Sequence, residues 1–307
     1  MRKKLFLSLL IAAFAVSQLS AQMLVGSYNI RLKVSSDSLN GNVWQKRCQV
    51  ICDQVNFMSP DLLGTQEVLH GQLLDMLERL DGYDYIGVGR DDGATGGEYS
   101  AIFYKTSELR LLDSGNFWLN ETPDRPGLGW DAACIRICTW GKFARQTASN
   151  DEAFYYFNLH MDHVGVIARR EAAKLIVSRI REIAQGVPVI VTGDFNVDQK
   201  DEIYGIFTGS GLLKDSYEAA RVRFAENGTF NSFDIDLYSD SRIDHIFVSP
   251  TTQVEAYGIL TNSYWVPNGN SDATVKGHDA PQQIDFSHYT RRQPSDHYPV
   301  FVRLELP

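Results

Sequence analysis

A carboxylate and a carboxamide lie two positions apart in Gly193-Asp194-Phe195-Asn196, which directly follows the apolar run at residues 187–192. A short apolar run ending in a glycine turn is typical of a buried strand whose end opens into a cleft. Because alternate side chains of an extended chain point to one face, Asp194 and Asn196 are predicted to face the same spot. Such a pair suits a hard divalent cation, or a water molecule aimed at phosphorus.

Further polar groups stand where other apolar runs begin or end, and they are Asn29, Gln66-Glu67, Asn158, His160, Asp162, Arg242, Asp244, Ser295, Asp296 and His297. Each one alone is more typical of a turn former, a surface group or a hydrogen-bonded core residue. Carboxylates that converge, however, destabilise a fold unless a cation or a shared proton compensates them. Taken together, the set therefore indicates a catalytic centre.

The order and spacing of these groups resemble the motifs of the endonuclease/exonuclease/phosphatase superfamily, which includes deoxyribonuclease I, inositol-polyphosphate 5-phosphatases and deadenylases. The similar motifs cover residues 25–304, and they are Asn29, Gln66-Glu67, Asn158-x-His160-x-Asp162, Gly193-Asp194-Phe195-Asn196, Arg242-Ile243-Asp244-His245-Ile246 and Ser295-Asp296-His297-Tyr298-Pro299-Val300. The resemblance implies an α/β (α+β) fold, a four-layer α/β/β/α sandwich. Two mixed β-sheets would pack face to face with helices outside, and the active site would lie at one end.

The resemblance also implies a metal site, in which Glu67 is the principal ligand of Mg²⁺ or Mn²⁺ and Asn29 and Asp296 complete the set. Oxygen ligands of this kind, with few carboxylates, are those that Mg²⁺ prefers. Asp194 and Asn196 match the pair that orients or deprotonates the attacking water.

Phosphate contacts follow from the same resemblance. Asp244 and His297 match a pair that binds the scissile phosphate and can act as base, and His160 matches a second phosphate-contacting histidine. We expect Glu98 to be the carboxylate partner of His160. The predicted substrate contacts are Asn29, Arg31, His160, Asn196 and Trp265, with a surface role as the alternative for Arg31 and core packing as the alternative for Trp265.

The amino terminus has the pattern of an export signal. Arg2-Lys3-Lys4 precedes an apolar run too short to span a bilayer, and Leu19-Ser20-Ala21 is a suitable cleavage site. We therefore predict a signal peptide at residues 1–21, with an uncleaved anchor as the alternative, and one domain at residues 22–307. The protein is expected to be exported to the periplasm or beyond the cell, without a later transmembrane segment, and monomeric.

Charge and composition narrow the range of candidate substrates. The formal net charge is −9, so the chain lacks the broad basic surface of a tight nucleic-acid binder. A small, lipid-derived or sugar-derived phosphate ester is the favoured substrate. A secreted nuclease is the alternative, and a non-catalytic binding protein on the same scaffold is the second alternative.

Strand-like and helix-like segments alternate along the chain. Two stretches, at residues 120–131 and 262–294, lack such periodicity. Amphipathic helices are predicted at residues 42–57, 70–80 and 167–184. The stretch at residues 262–294 is predicted to be a long loop that forms a rim of the active site, with a mobile insert as the alternative. Four cysteines, Cys48, Cys52, Cys134 and Cys138, are expected to pack in the core rather than to form disulfides or a metal cluster.

Overall fold

The computed structural model describes residues 22–307, and the predicted signal peptide lies outside them. Two large sheets dominate these residues. The first sheet has seven strands, in spatial order β12 (Val222–Phe224), β14 (Gln253–Ile259), β19 (Val300–Glu305), β1 (Met23–Asn29), β2 (Leu62–Gln66), β6 (Ile102–Lys105) and β4 (Tyr83–Ile86). The second has six, in the order β11 (Lys214–Asp215), β13 (Asp244–Val248), β10 (Val189–Asp194), β9 (Phe154–His160), β8 (Ile137–Arg145) and β7 (Leu109–Trp118).

The central strands divide their side chains between two cores. Leu62 and Ile190 lie in a core that joins the inner faces of both sheets, whereas the next residues, Leu63 and Val191, lie in two different outer cores. Successive side chains of a strand point to opposite faces, so strands that are apolar on both faces must be covered on both sides. This explains why the apolar runs in the sequence are nearly continuous.

The α-helices of the described residues are α1 (Ser35–Leu39), α2 (Trp44–Met58), α3 (His70–Leu77), α4 (Val166–Ala184), α5 (Tyr204–Thr208) and α6 (Ser216–Ala219). Helices α2 to α5 cover the two outer faces, whereas Tyr217 and Ala219 of α6 pack against the core between the sheets. Apolar residues of α2 and α3 fill the outer core of the first sheet, and those of α4 and α5 fill the outer core of the second. The predicted four-layer α/β/β/α sandwich is confirmed.

The longest helix, α4, has a defined start and end. The Asp131 carboxylate accepts hydrogen bonds from the backbone N–H groups of Ile167 and Ala168, which lack partners within the helix. Its buried residues, among them Ala172, Ile176 and Ile180, recur at helical spacing. The helix ends where Gln185 takes a left-handed conformation (φ 48°).

Strand register brings the polar ends together. Parallel β1 and β2 end at the paired residues Asn29 and Gln66, and parallel β9 and β10 end at His160 and Asp194. Antiparallel β13 begins with Asp244, which is paired with Asp194. The ends of these five strands therefore lie at one end of the sandwich, as the motifs predict.

A buried amide joins the two sheets beneath this end. The Nδ2 of Asn158 donates to the carbonyl oxygens of Thr65 (2.8 Å) and Ala101 (2.9 Å), while its Oδ1 accepts from Gln66 Nε2 (2.7 Å). Gly64 permits this approach, because a Cβ there would lie 2.5 Å from Asn158 Oδ1. These bonds fix the end of β2 relative to the second sheet.

The expectation of a structureless loop at residues 262–294 is wrong. The segment forms two antiparallel pairs, β15 (Tyr264–Pro267) with β18 (Tyr289–Arg292) and β16 (Thr274–Lys276) with β17 (Asp285–Ser287). Another small pair joins β3 (Val68–Leu69) and β5 (Glu98–Tyr99). Within residues 22–307, no helix is long and apolar enough to cross a bilayer.

Candidate active site

The polar strand ends open into a cavity of about 360 Å³. Its lining consists of Arg31, Leu32, Glu67, Arg90, Glu98, Cys134, Arg136, His160, His163, Asp194, Asn196, Phe230, Ile243, Asp296 and His297. Eight of the eleven predicted site residues line this cavity: Arg31, Glu67, Glu98, His160, Asp194, Asn196, Asp296 and His297. Asn29 and Asp244 lie directly behind it, in contact with lining residues.

Asp194, at the end of β10, is buried and surrounded by polar side chains. Its Oδ2 accepts a hydrogen bond from Asn29 Nδ2 (3.0 Å) and lies 3.4 Å from His160 Nε2 and 3.7 Å from His297 Nε2. Burial, and then the Asp244 carboxylate, raise the pKa of Asp194 to about 7, against the lowering effect of His297. A carboxylate of this kind can accept a proton near neutral pH.

The first wall of the cavity, called here the His297 wall, consists of His297 and Phe230 with Asp244 behind them. The Nδ1 of His297 is 2.9 Å from Asp244 Oδ2, and the Phe230 ring meets the imidazole edge to face at 5.0 Å. Burial alone would lower the pKa of His297, but Asp244 and Asp194 raise it well above its usual value. His297 is therefore a cation that can bind an anionic phosphate.

The second wall, called here the His160 wall, consists of Arg90, Glu98, Arg136, His160 and His163. Glu98 lies 4.0 Å from His160 Nδ1, beyond hydrogen-bond distance, and accepts instead from Arg90 Nη1 at 2.7 Å. Burial, followed by Arg136 and Arg90, lowers the pKa of His160 well below its usual value. His160 is thus a neutral imidazole, and its predicted partner Glu98 is not hydrogen-bonded to it.

Glu67 and Asp296 form the candidate metal site. Leu32 N and Asn29 Nδ2 each donate to Glu67 at 3.1 Å, and Arg31 Nη1 lies 3.9 Å from Glu67 and 3.6 Å from Asp296. Burial raises the pKa of Asp296, and the Glu67 carboxylate adds to this effect. Two carboxylates that share a cavity in this way fit a hard divalent cation, whose ligands are oxygen atoms.

Asn29 links Glu67 to Asp194. Its Nδ2 group donates to both Glu67 and Asp194, and its Oδ1 accepts from the backbone N–H of Arg31 (3.0 Å). In this arrangement Asn29 positions two carboxylates, and its Oδ1 has a second lone pair with which it can bind a metal ion. Among the described residues, two other groups have ligand atoms within 4.8 Å of one another: Cys134, Asp162 and His163, and Asp194, Asp244 and His297. In the latter group the charged imidazole already compensates the carboxylates.

Three cavity residues hold left-handed backbone conformations, Arg31 (φ 59°), Glu67 (φ 62°) and Asn196 (φ 50°). Such a conformation costs about 1–2 kcal/mol for a residue with a side chain. Asn196 is therefore not extended, although the prediction from alternating side chains assumed an extended chain at this residue. It reaches the cavity through a turn in which its N–H donates to Asp194 Oδ1 (3.0 Å) and its Nδ2 donates to the Met161 carbonyl (2.9 Å).

Trp265 is not brought to the cavity. It lies on β15 opposite Arg291 with 61% of its surface exposed, and no residue of the segment 262–294 lines the cavity. The expected rim of the active site at this segment is therefore wrong. The segment instead contacts the helix side of the first sheet, where Arg292 Nη1 donates to the Asn40 carbonyl.

Sequence reasoning also missed several lining residues, namely Arg90, Cys134, Arg136, His163 and Phe230. They lie in connecting segments or at strand ends without a recognisable motif. One sequence feature could have identified Arg136 as a candidate. It stands directly before the apolar run of β8, as Arg242 stands before the apolar run of β13. Cys48, Cys52 and Cys138 are free and buried as expected, whereas Cys134 is free and half-buried at the cavity.

The four-layer sandwich and its cavity of carboxylates, amides and histidines define the chain as a protein of the phosphoester-hydrolase class. A sequence model of the Endonuclease/Exonuclease/phosphatase family matches residues 26–297, and the chain belongs to this family. Its members are hydrolases that act on phosphoester bonds and generally depend on a divalent metal ion.

Solved structures extend the similarity. The chain is 47% identical to an endonuclease/exonuclease/phosphatase family protein from Bacteroides thetaiotaomicron, with a TM-score of 0.85 over 92% of this chain and 98% of that one. It is also 47% identical to a mannosyl-6-phosphatase from Bacteroides thetaiotaomicron VPI-5482, with a TM-score of 0.84 over 92% and 100% of the two chains. An uncharacterized mimivirus protein, L388, is 27% identical over 165 residues, which are 51% of this chain and 60% of that protein's length.

Proposed function

We propose that this protein is an exported, divalent-metal-dependent phosphoesterase that hydrolyses a small, sugar-derived phosphate ester by attack of water. The observation that carries the proposal is the position of Asp194 between a neutral histidine, His160, and a positively charged one, His297, in a cavity that also contains Glu67 and Asp296. No serine, threonine or cysteine nucleophile is required in this scheme.

The residues divide the reaction among them. Asp194 accepts a proton from the attacking water, whose position Asn196 helps to fix, while the water oxygen bonds to phosphorus. The charged His297 and the neutral His160 donate hydrogen bonds to phosphoryl oxygens, where negative charge builds up. The ester oxygen then leaves as the alcohol, with a proton taken up from solvent. A divalent cation held by Glu67 and Asp296 would neutralise further phosphate charge.

The size of the cavity and the similarity to the mannosyl-6-phosphatase support a sugar phosphate as substrate. About 360 Å³ lies at the lower end of the range for small-molecule sites. That relative is matched over its whole length at 47% identity. The net charge of −9 also disfavours a long polyanion such as DNA as the main substrate.

A substrate panel with and without EDTA tests the proposal. The panel contains mannose 6-phosphate, glucose 6-phosphate, inositol phosphates, sphingomyelin, bis-p-nitrophenyl phosphate, DNA and RNA, each with Mg²⁺ or Mn²⁺. We expect the sugar phosphates to give the highest kcat/KM, and EDTA to abolish turnover. Preferred cleavage of DNA or RNA would establish the nuclease alternative, and no turnover of any compound would establish the binding protein.

Export has its own test. Expression of the full chain in a bacterium, followed by amino-terminal sequencing of the protein outside the cytoplasm, should give a mature chain that starts at Gln22. A full-length chain retained in the membrane would instead support an uncleaved anchor.

A further inference from the structure

Two of the three arginines that line the cavity belong to the His160 wall, and the proposed reaction gives them no task. Arg90 and Arg136 both line it, and their side chains are only 13% and 5% exposed. Arginines this buried are uncommon unless they are fully paired. Each hydrogen-bond donor of these two side chains is therefore expected to have a partner.

Neither arginine is fully paired. Arg90 Nη1 donates to Glu98 at 2.7 Å. Arg136 Nη2 lies 3.0 Å from His163 Nδ1, and Arg136 Nε lies 3.5 Å from the Asp162 carboxylate. The Nε atoms of both arginines are buried and have no hydrogen-bond partner among residues 22–307. A guanidinium has five N–H donors, and a buried donor without a partner costs free energy.

The carboxylate next to Arg136 is already occupied. Asp162 accepts hydrogen bonds from the backbone N–H groups of Ala133, Cys134, Val164 and Gly165 at 2.7–3.1 Å. It has little remaining capacity to satisfy Arg136. The donors of the His160 wall therefore exceed the acceptors that the chain supplies there.

The two arginines line the same cavity as Asp194, His160 and His297, the residues proposed to act on the phosphate. Arg90 contacts Glu98, Glu98 lies 4.0 Å from His160, and His160 lies 3.4 Å from Asp194. The positive charges of Arg136 and Arg90 also contribute to the lowered pKa of His160, so their fields reach the imidazole.

We propose that Arg90 and Arg136 bind the terminal oxygens of a phosphomonoester and make the enzyme selective for monoesters over diesters. A monoester has three non-bridging oxygens and a charge of about −1.5 to −2 at neutral pH. A diester has one charge, and a second ester group replaces the third oxygen. Guanidinium groups suit planar, paired recognition of phosphate oxygens. The inference rests on the proposed phosphoesterase function and names the residues that determine its specificity.

The test compares one monoester with one diester. Arg90→Gln and Arg136→Gln are each assayed with p-nitrophenyl phosphate and bis-p-nitrophenyl phosphate in Mn²⁺, beside an Arg110→Gln control on the outer strand β7. We expect the ratio of monoester to diester kcat/KM to fall at least about tenfold in each cavity variant, as for the loss of a charge-assisted hydrogen bond. The inhibition constant of inorganic phosphate should rise in parallel, and Arg136→Lys should restore part of the ratio.

Other outcomes are distinguishable. An unchanged ratio in both folded variants, or an equal loss with both esters, would overturn the role in specificity and leave the phosphoesterase function intact. If the wild-type protein hydrolyses neither these esters nor the sugar phosphates of the panel with any divalent ion, the proposed function itself fails. Should Arg136→Gln not fold because Asp162 loses a neighbour, Arg90→Gln and Arg136→Lys still decide the question.

Discussion

The two walls of the cavity place the same side chain at nearly the same distance from Asp194, but it is neutral on one wall and positively charged on the other. His160 Nε2 lies 3.4 Å, and His297 Nε2 3.7 Å, from the same carboxylate oxygen. On the His297 wall, a buried carboxylate lies 2.9 Å from the imidazole and raises its pKa. On the His160 wall, the nearest carboxylate is engaged with Arg90, and the pKa of the imidazole is lowered. Environment, not residue type, therefore sets the charge of each histidine.

This difference gives the two histidines different tasks. A permanent cation at His297 favours binding of phosphate charge throughout the reaction, whereas a neutral His160 contributes only a hydrogen bond. Asp194 is shared by both walls. Substitutions of Asp194, and then of residues in each wall, therefore test this difference.

The largest loss is expected for Asp194→Asn, which keeps the shape of the side chain and removes the proton acceptor. We expect kcat/KM to fall about 10³-fold or more, as for loss of a positioned general base together with nearby charge. Steady-state kinetics with the best substrate of the panel provide the measurement. Asp113→Asn, at an exposed position of β7, is the control and should retain full activity. A loss of less than tenfold for Asp194→Asn would exclude it as the base.

The two histidines should differ when each is replaced by glutamine. We expect His297→Gln to lower kcat/KM by about 10²–10³-fold, because a charged donor is lost. His160→Gln should cost about 10–10²-fold, because glutamine can replace a neutral donor. Equal losses would show that the two walls do not differ in charge when substrate is bound.

Asp162 tests the support of the His160 wall through stability. Burial alone would raise its pKa, but four backbone N–H donors and Arg136 lower it from 3.8 to about 2. A folded-state pKa below the unfolded value stabilises the protein above about pH 4, and this stabilisation is lost as the pH falls from 4 towards 2. Asp162→Asn should therefore lower the free energy of unfolding by about 2 kcal/mol at pH 7.

Urea unfolding at pH 7, 4 and 3 measures this effect. The difference between wild type and Asp162→Asn should be similar at pH 7 and 4 and smaller at pH 3. A difference that does not depend on pH would mean that the charge of the carboxylate is not what stabilises the segments at residues 133–134 and 164–165.

The strands and the polar groups at their ends were predictable, because both faces of the central strands are buried and their apolar runs stop where the cavity begins. The segment at residues 262–294 was not predictable in this way. Strands β16 and β17 are exposed on both faces, so no alternation of apolar and polar residues identifies them. Arg90 and Phe230 lie in connections, where contacts distant in sequence decide which side chains reach the cavity. The left-handed turn at Asn196 likewise depends on a hydrogen bond to Asp194.

The smallest effect is expected at Glu98, the residue for which sequence and structure give different partners. If Glu98 oriented His160 as Asp244 orients His297, then Glu98→Gln and Asp244→Asn would cause similar losses. Because Glu98 accepts from Arg90 and lies 4.0 Å from His160, we expect Glu98→Gln to lower kcat/KM less than tenfold. Asp244→Asn should cost about 10²-fold, since it removes the charge that keeps His297 protonated. A loss in Glu98→Gln as large as that in Asp244→Asn would show that substrate draws Glu98 away from Arg90 and onto the imidazole, and the two walls would then work alike.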